Sequence, residues 1–263
     1  MKIEKRYRIE TGAPRQVDII LVGCGGTGSF LALHLARLAY HARDRHNLPV
    51  HLTFIDPDLV EPRNIGRQNF APVEVGEYKA WTLMHRFNHA FGLAIHTAVE
   101  FFHRELLPLE RRDELHILIG CVDNAPARRD IHSALAEGYG YSTWWLDCGN
   151  HEHAGQVLLG NRRDLTAPEI DPLGVCSGLP LPTIQHPELL TGEPETEETG
   201  VSCADLALAD VQSLMINQAV ATYAAQYIYR LVLAHDLDIY ATYIDLITGS
   251  ARSLPITDAG KTN

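Results

Sequence analysis

Apolar residues fall along this chain in short runs, divided by segments where they recur at helical spacing. VDIILV (17–22) and LHILIGCV (115–122) are continuous enough to predict strands buried on both faces, the habit of a parallel sheet. VHLTFI (50–55) predicts another strand, ending at Asp56. Leu31, Leu35 and Leu38 mark one face of a helix over 29–42, and HARDRHNLP (41–49) is a polar connector. Further helices are predicted within 73–91, carrying Lys79, and over 125–138; further strands at 96–101, 144–148, 156–159 and 239–247. This alternation predicts an α/β fold: a doubly wound, Rossmann-like, mostly parallel sheet. Ligands of such sheets bind beyond the carboxyl ends of the strands, and Gly28, Asp56 and Asp123 all fall at or just after such ends.

The texture changes after Asn161. Pro168, Pro172, Pro180, Pro182, Pro187 and Pro194, with the acidic run 193–198, predict a long mobile crossover loop over 164–200. It closes at Val201-Ser202-Cys203, from which a long apolar helix is predicted to about Ala234, and 251–263 reads as a tail. No internal repeat divides the chain, and residues 1–263 read as one domain.

Composition narrows the classes. With 46% hydrophobic and 21% charged residues the chain is ordinary globular protein, and its net charge of -11 argues against a general nucleic-acid binder, which needs clustered Lys and Arg. No apolar run approaches the roughly 18 residues of a membrane span, and MKIEKRYRIETGAPRQ lacks the apolar core of a signal peptide. The cysteines, at 24, 121, 148, 176 and 203, are odd in number and never spaced CxxC. That usage fits a reducing cytoplasm and gives no cysteine zinc site.

The candidate chemistry begins with VGCGGTGS at 22–29. Gly23, Gly25, Gly26 and Gly28 between a strand and a helix let an anion approach the backbone and the helix N-terminus. Nicotinamide and flavin proteins use such a loop too. The next segment, FIDPDLVEPRNIGRQNF (54–70), separates the readings. Asp56 at a strand end suits ribose hydroxyls, while Asp58 is read as a turn residue or a second acid. Asn64, Arg67 and Gln68 suit a triphosphate under attack, because Arg matches phosphate oxygens bidentately and stabilises charge as pyrophosphate departs. Lys79 offers a second phosphate charge. Asp123 can hold Mg²⁺ or position an attacking group, Asn124 can cap the next helix, and Arg128 is read equally as pocket or surface.

In this order the elements GxGGxG, D-x-D-x-V-x-x-x-N-x-x-R-Q, a downstream Lys and D-N-x-x-x-R, spanning Gly23 to Arg128, resemble the ThiF/MoeB-type superfamily, which includes ubiquitin-activating enzymes. Ser202-Cys203 and the Asn217-Gln218 helix extend the resemblance, which in detail is to the ThiF-family proteins of bacterial PRTRC systems. The resemblance implies a single ThiF-like adenylation domain, in which the C-terminal carboxylate of a small ubiquitin-like protein attacks the α-phosphate of MgATP. It implies Asp56 at the ribose, Asn64, Arg67 and Lys79 at the phosphates, Gln68 supporting the pocket, Asp123 organising Mg²⁺, and a homodimer.

Four departures qualify it. Arg63 stands where the family often has Ser. The paired CxxC motifs are absent, so no zinc is expected. Arg6 or Arg8 is the candidate for an arginine reaching a partner subunit's ATP. No ubiquitin-fold domain follows. Cys203 is read either as a nucleophile whose thiol is acidified by a helix N-terminus, or as a small packed residue behind a Ser202 cap. Cys176 is the alternative nucleophile; Cys24, Cys121 and Cys148 read as core. His151 and His153 lack a clear third metal ligand, and Trp144-Trp145 reads as packing. Activation of a small carboxylate, a peptide or a tRNA-linked carboxyl group, a non-catalytic nucleotide-binding scaffold and a nicotinamide oxidoreductase stay open as alternatives.

Overall fold

The computed structural model describes residues 5–108, 113–136, 143–191 and 214–258. After a two-residue strand, β1 (Arg8–Ile9), the chain lays down β2 (Gln16–Val22), β3 (Val50–Ile55), β4 (His96–Ala98), β5 (Glu114–Gly120), β6 (Thr143–Asn150) and β7 (Ala154–Gly160). Two short strands follow, β8 (Glu169–Ile170) and β9 (Val175–Gly178), and then the hairpin β10 (Ile239–Asp245) and β11 (Ser250–Pro255). The helices are α1 (Gly26–His46), α2 (Lys79–Phe91), α3 (Ala125–Ala136), the single turn α4 (Pro182–Gln185) and α5 (Ile216–Tyr229).

The main sheet has the order β11-β10-β7-β6-β5-β2-β3-β4. Strands β4, β3, β2, β5 and β6 run parallel, and β7, β10 and β11 continue antiparallel. This is the α/β, mostly parallel architecture expected from the apolar runs. Register makes Val22 level with Ile55 on one side and Gly120 on the other. The strand order reverses at β2, so the chains leaving it and its two neighbours splay apart and open a crevice.

Alternation along the central strands explains their unbroken hydrophobicity. Ile19, Leu21, Leu52, Phe54, Ile117 and Leu146 face the larger core, closed by α1, α2 and α5. Ile20, Val22, Ile55, Leu118 and Trp145 face the smaller one, where Ile131, Ala134 and Leu135 of α3 pack. Trp144 and Trp145 are both buried, as the packing reading requires.

Several boundaries differ from expectation. β4 stops at Ala98 rather than reaching residue 101, because an edge strand pairs only with Thr53–Ile55 of β3, and Phe101 beyond it lies 78% exposed. α2 lies within its expected stretch, over Lys79–Phe91, preceded by Gly76 with a left-handed φ of 94°. α1 runs past the polar Arg43, Arg45 and His46 and closes on Asn47 in the left-handed region.

The described part of the proline-rich stretch is built rather than loose. β8 and β9 form a hairpin held by the Asp171 carboxylate, which accepts from the Leu173 and Val175 N–H groups. β1 joins β9 in parallel, and Pro182 and Pro187 occupy first-turn helical positions where a missing N–H costs nothing. Residues 250–255 are a strand, not part of a tail. The early segment is tied to the late one: the Tyr7 N–H donates to the Ile256 carbonyl at 2.9 Å, Ile9 to Leu237 at 2.8 Å, and the Tyr7 hydroxyl to Asp258 at 3.2 Å. The start of the helix predicted from residue 201 lies outside the described residues. Among the described residues no helix is long and apolar enough to cross a membrane.

Candidate functional site

Residues just past β2, β3 and β5 are stitched along one edge. The Gly23 N–H donates to Ile55, Asp56 to Ala98 and Cys121 to Val22. They open onto a cavity of about 810 Å³ lined by Gly23, Gly25, Gly26, Asp56, Asp58, Asn64, Arg67, Gln68, Lys79 and Asp123, among others. Residues predicted from two separate motifs and a third strand end therefore meet at one place.

The glycine loop shapes the floor. A Cβ at Gly28 would stand 1.9 Å from the Gly23 carbonyl oxygen, so only glycine lets helix α1 turn back against its own loop. Gly28 itself does not line the cavity; it sets the loop that does. A Cβ at Gly26 would meet Asn217 Oδ1 at 2.4 Å. Among the described residues no side chain caps the start of α1, which leaves its positive end available to an anion.

Asp56 is 5% exposed and accepts two backbone hydrogen bonds, from Cys24 N at 2.6 Å and Asp58 N at 2.8 Å. Burial nevertheless raises its pKa above the ordinary carboxylate value, against the opposing pull of those bonds and of Lys79. Lys79 is itself buried and donates to Asp58 Oδ2 at 2.8 Å, so Asp58 holds the ammonium at the cavity wall. Asn64 is buried at a helical turn where its Oδ1 accepts from the Glu61 N–H at 2.8 Å. Arg63 pairs with Glu61, and Arg67 Nε points to the Arg63 carbonyl at 3.4 Å. Gln68 is 6% exposed, and its Oε1 has no partner among the described residues. A buried, unanswered amide oxygen beside the loop is what a ligand in the cavity would complete.

Asp123 is exposed at the rim and accepts from Asn124 Nδ2 at 3.2 Å. Asn124 Oδ1 caps α3 by accepting from the Ala127 N–H at 2.9 Å, its structural reading. Arg128 resolves to neither alternative. It is buried away from the cavity and donates from Nε to Asp147 Oδ1 at 3.1 Å. Asp147 is fully buried, and burial lifts its pKa despite the Arg128 charge. Acids also line the rim at Glu61, Glu100 and Asp130, so a triphosphate here fits best when it arrives with a divalent cation.

The cysteines follow expectation only in part. Cys24 and Cys148 are core as expected and Cys121 packs against that core, but Cys121 and Cys148 also line the cavity. The Cys148 thiol is raised well above its usual value, first by its contact with Cys121 and then by burial. Cys176 is buried, donates to the Gly178 carbonyl, and is pushed up to about 12 by burial, which makes it a packed residue and a poor nucleophile. Ser202 and Cys203 lie outside the described residues. Arg6 pairs with Asp238 and Arg8 with Glu10, and neither lines the cavity. Among the described residues His151 and His153 join no group of three metal-binding side chains.

Sequence patterns left two neighbours of the site unassigned. Asn217, from α5, lines the cavity, and its Oδ1 accepts from Thr27 at 3.2 Å and Asn150 at 3.0 Å. Asn150 comes from the end of β6. Neither sequence neighbourhood, Asn217-Gln218 nor Asn150-His151, marks a cavity residue until the fold brings the two amides together.

The sequence model described as the ThiF family matches residues 13–261. Ubiquitin-like modifier-activating enzyme 5 of Dictyostelium discoideum is 28% identical over 152 residues, which cover 53% of this chain and 37% of that protein. The crystal structure of PaaA superposes with a TM-score of 0.59 at 16% identity, covering 94% of this chain and 66% of its own. E. coli MccB solved with ATP gives 0.55 at 14% identity, covering 91% and 63%. At such identities the structures establish a shared fold. The chain spans little over a third of the Dictyostelium protein and about two thirds of the PaaA and MccB chains.

Proposed function

Because this chain belongs to the ThiF family, we propose that it is an ATP-dependent adenylyltransferase acting on the C-terminal carboxylate of a small ubiquitin-like protein. The observation that carries the reading is the convergence on one cavity of the α1 N-terminus, buried Asp56, the cations Arg67 and Lys79, and exposed Asp123. A hydride-transfer cofactor has no use for that second set of charges. The Dictyostelium relative is named as an activator of a ubiquitin-like modifier, and MccB was solved with ATP; both support the reading.

In this reading the ribose hydroxyls donate to Asp56, whose oxygens each keep a lone pair beyond the backbone bonds. Asn64, Arg67 and Lys79 contact phosphate oxygens, Gln68 supports the pocket, and the start of α1 adds its partial charge. Asp123 would hold Mg²⁺, which would neutralise phosphate charge there. The substrate carboxylate attacks the α-phosphorus; a carboxyl–phosphate anhydride bond forms, and the bond to pyrophosphate breaks. Passage of the acyl group to the Cys203 thiolate, forming a thioester and releasing AMP, rests on that residue's place in the sequence alone. A homodimer belongs to the same reading.

ATP–pyrophosphate exchange with Mg²⁺ tests it, using small proteins ending in Gly-Gly and, separately, free peptides. Exchange should depend on one candidate, and Asp123→Ala should lower it by on the order of 100-fold with an unchanged circular dichroism spectrum. ATP binding with no exchange for any carboxylate would leave a nucleotide-binding scaffold in its place.

A further inference from the structure

At the end of the sheet opposite the cavity, polar side chains interrupt the apolar runs of β2 and β5. Register sets Asp18 beside His116 and Gln16 beside Glu114, all on the face shared with Ile20 and Leu118. His116 is only 2% exposed. Its Nδ1 lies 3.6 Å from Asp18 Oδ2 and its Nε2 3.7 Å from Glu114 Oε2. Those separations are too long for hydrogen bonds, and neither ring nitrogen has such a partner among the described residues. A buried polar group left in that state is costly and calls for something to complete it.

One ring nitrogen and one oxygen from each acid lie within 4.8 Å of one another. Two ligands each about 2.1 Å from a common ion, at a tetrahedral angle, stand about 3.4 Å apart, so the trio closes by up to about 1.4 Å to share one. Gln16 Nε2 donates to both Asp18 oxygens, at 3.2 and 3.0 Å, which holds that carboxylate in place. His51, the β3 register partner of Asp18, is exposed and stands outside the trio.

We propose that Asp18, Glu114 and His116 form a site for one divalent transition-metal ion of the zinc class. Imidazole with two carboxylates is a donor set that selects such an ion over Mg²⁺ or Ca²⁺, which prefer oxygen alone. Three protein ligands leave a position for water. The site lies about 13 Å along β2 from the cavity edge, four strand residues away, so its role is to clamp β2 to β5 below the nucleotide loop rather than to enter the chemistry there.

Protein stripped with a chelator and dialysed into metal-free buffer is titrated with Zn²⁺ by calorimetry. The expected result is one ion per chain with micromolar or tighter affinity, a higher melting temperature with zinc, and affinity lower by at least about tenfold in Glu114→Gln and Asp18→Asn. Those two side chains are partly exposed, so their variants carry the test if His116→Gln fails to fold. No saturable binding overturns the proposal. So does binding that survives all three changes, or that is lost instead with His151→Ala or His153→Ala. Ring-nitrogen NMR supplies an independent outcome: His116 ring-nitrogen shifts left unchanged by zinc show that the imidazole is not a ligand and overturn the proposal. None of these outcomes depends on adenylation.

Discussion

At Asp56 a buried position and two backbone donors pull in opposite directions, and burial prevails. A carboxyl whose folded pKa stands above its unfolded value favours folding fully below the unfolded value, and that contribution is lost as pH rises through the folded one. Against an Asp56→Asn variant, the wild-type protein should therefore be relatively most stable near or below the unfolded value of about 3.9, losing ground above it, apart from a pH-independent offset. Urea unfolding at a series of pH values measures this; a difference that does not change with pH contradicts the buried-carboxyl account. Adenosine affinity should fall in acid as Asp56 protonates, and that limb should be absent in the variant. Asp56, Arg67 and Lys79 were legible because each sits a fixed distance from a strand end. Asn217 was not, since its place beside Gly26 depends on packing between segments 191 residues apart. Arg128 was ambiguous for a related reason: its partner Asp147 hides within an apolar strand, and nothing local announces an acid buried there.

At the scale of elements, the hydroxyl chain Tyr227–Thr242–Ser253 links α5, β10 and β11 at 2.9 and 2.8 Å. Tyr227→Phe should cost about 1 kcal/mol in denaturant unfolding, and Thr242→Val about 2, because the second strands a buried phenol. Pyrophosphate exchange should be unaffected by the first. Equal and negligible costs would show that the hairpin docks through apolar burial alone. The same hairpin marks the limit of sequence pattern. Long elements with strong periodicity, such as α1 and β5, could be read directly, because one buried face dictates their spacing. The two-residue strands β1 and β8 carry no period at all, and the exposed residues of β11 resemble a tail because that strand pairs only with β10. Pro182 and Pro187 signalled a loop yet start helical turns, a position proline suits as well.

Across the whole molecule, the cavity gathers side chains from Val22 to Asn217, so a bound nucleotide bridges much of the fold. ATP with Mg²⁺ at about 100 times its dissociation constant should add about 2.7 kcal/mol, which for a chain this size raises the melting temperature by about 5–10 °C. Scanning fluorimetry would show it. A comparable shift with NAD⁺ and none with ATP would revive the dinucleotide reading. The joining of Tyr7 to Ile256 and of β1 to β9 has a consequence for biosynthesis. A ribosome delivers Tyr7 and β1 well before the partners that seat them, which arrive more than 160 residues later. The central parallel strands can assemble while translation continues, but the Tyr7–Ile9 segment must wait, undocked, for β9 and then for the β10–β11 hairpin. The segment translated ahead of the sheet is put in place after it.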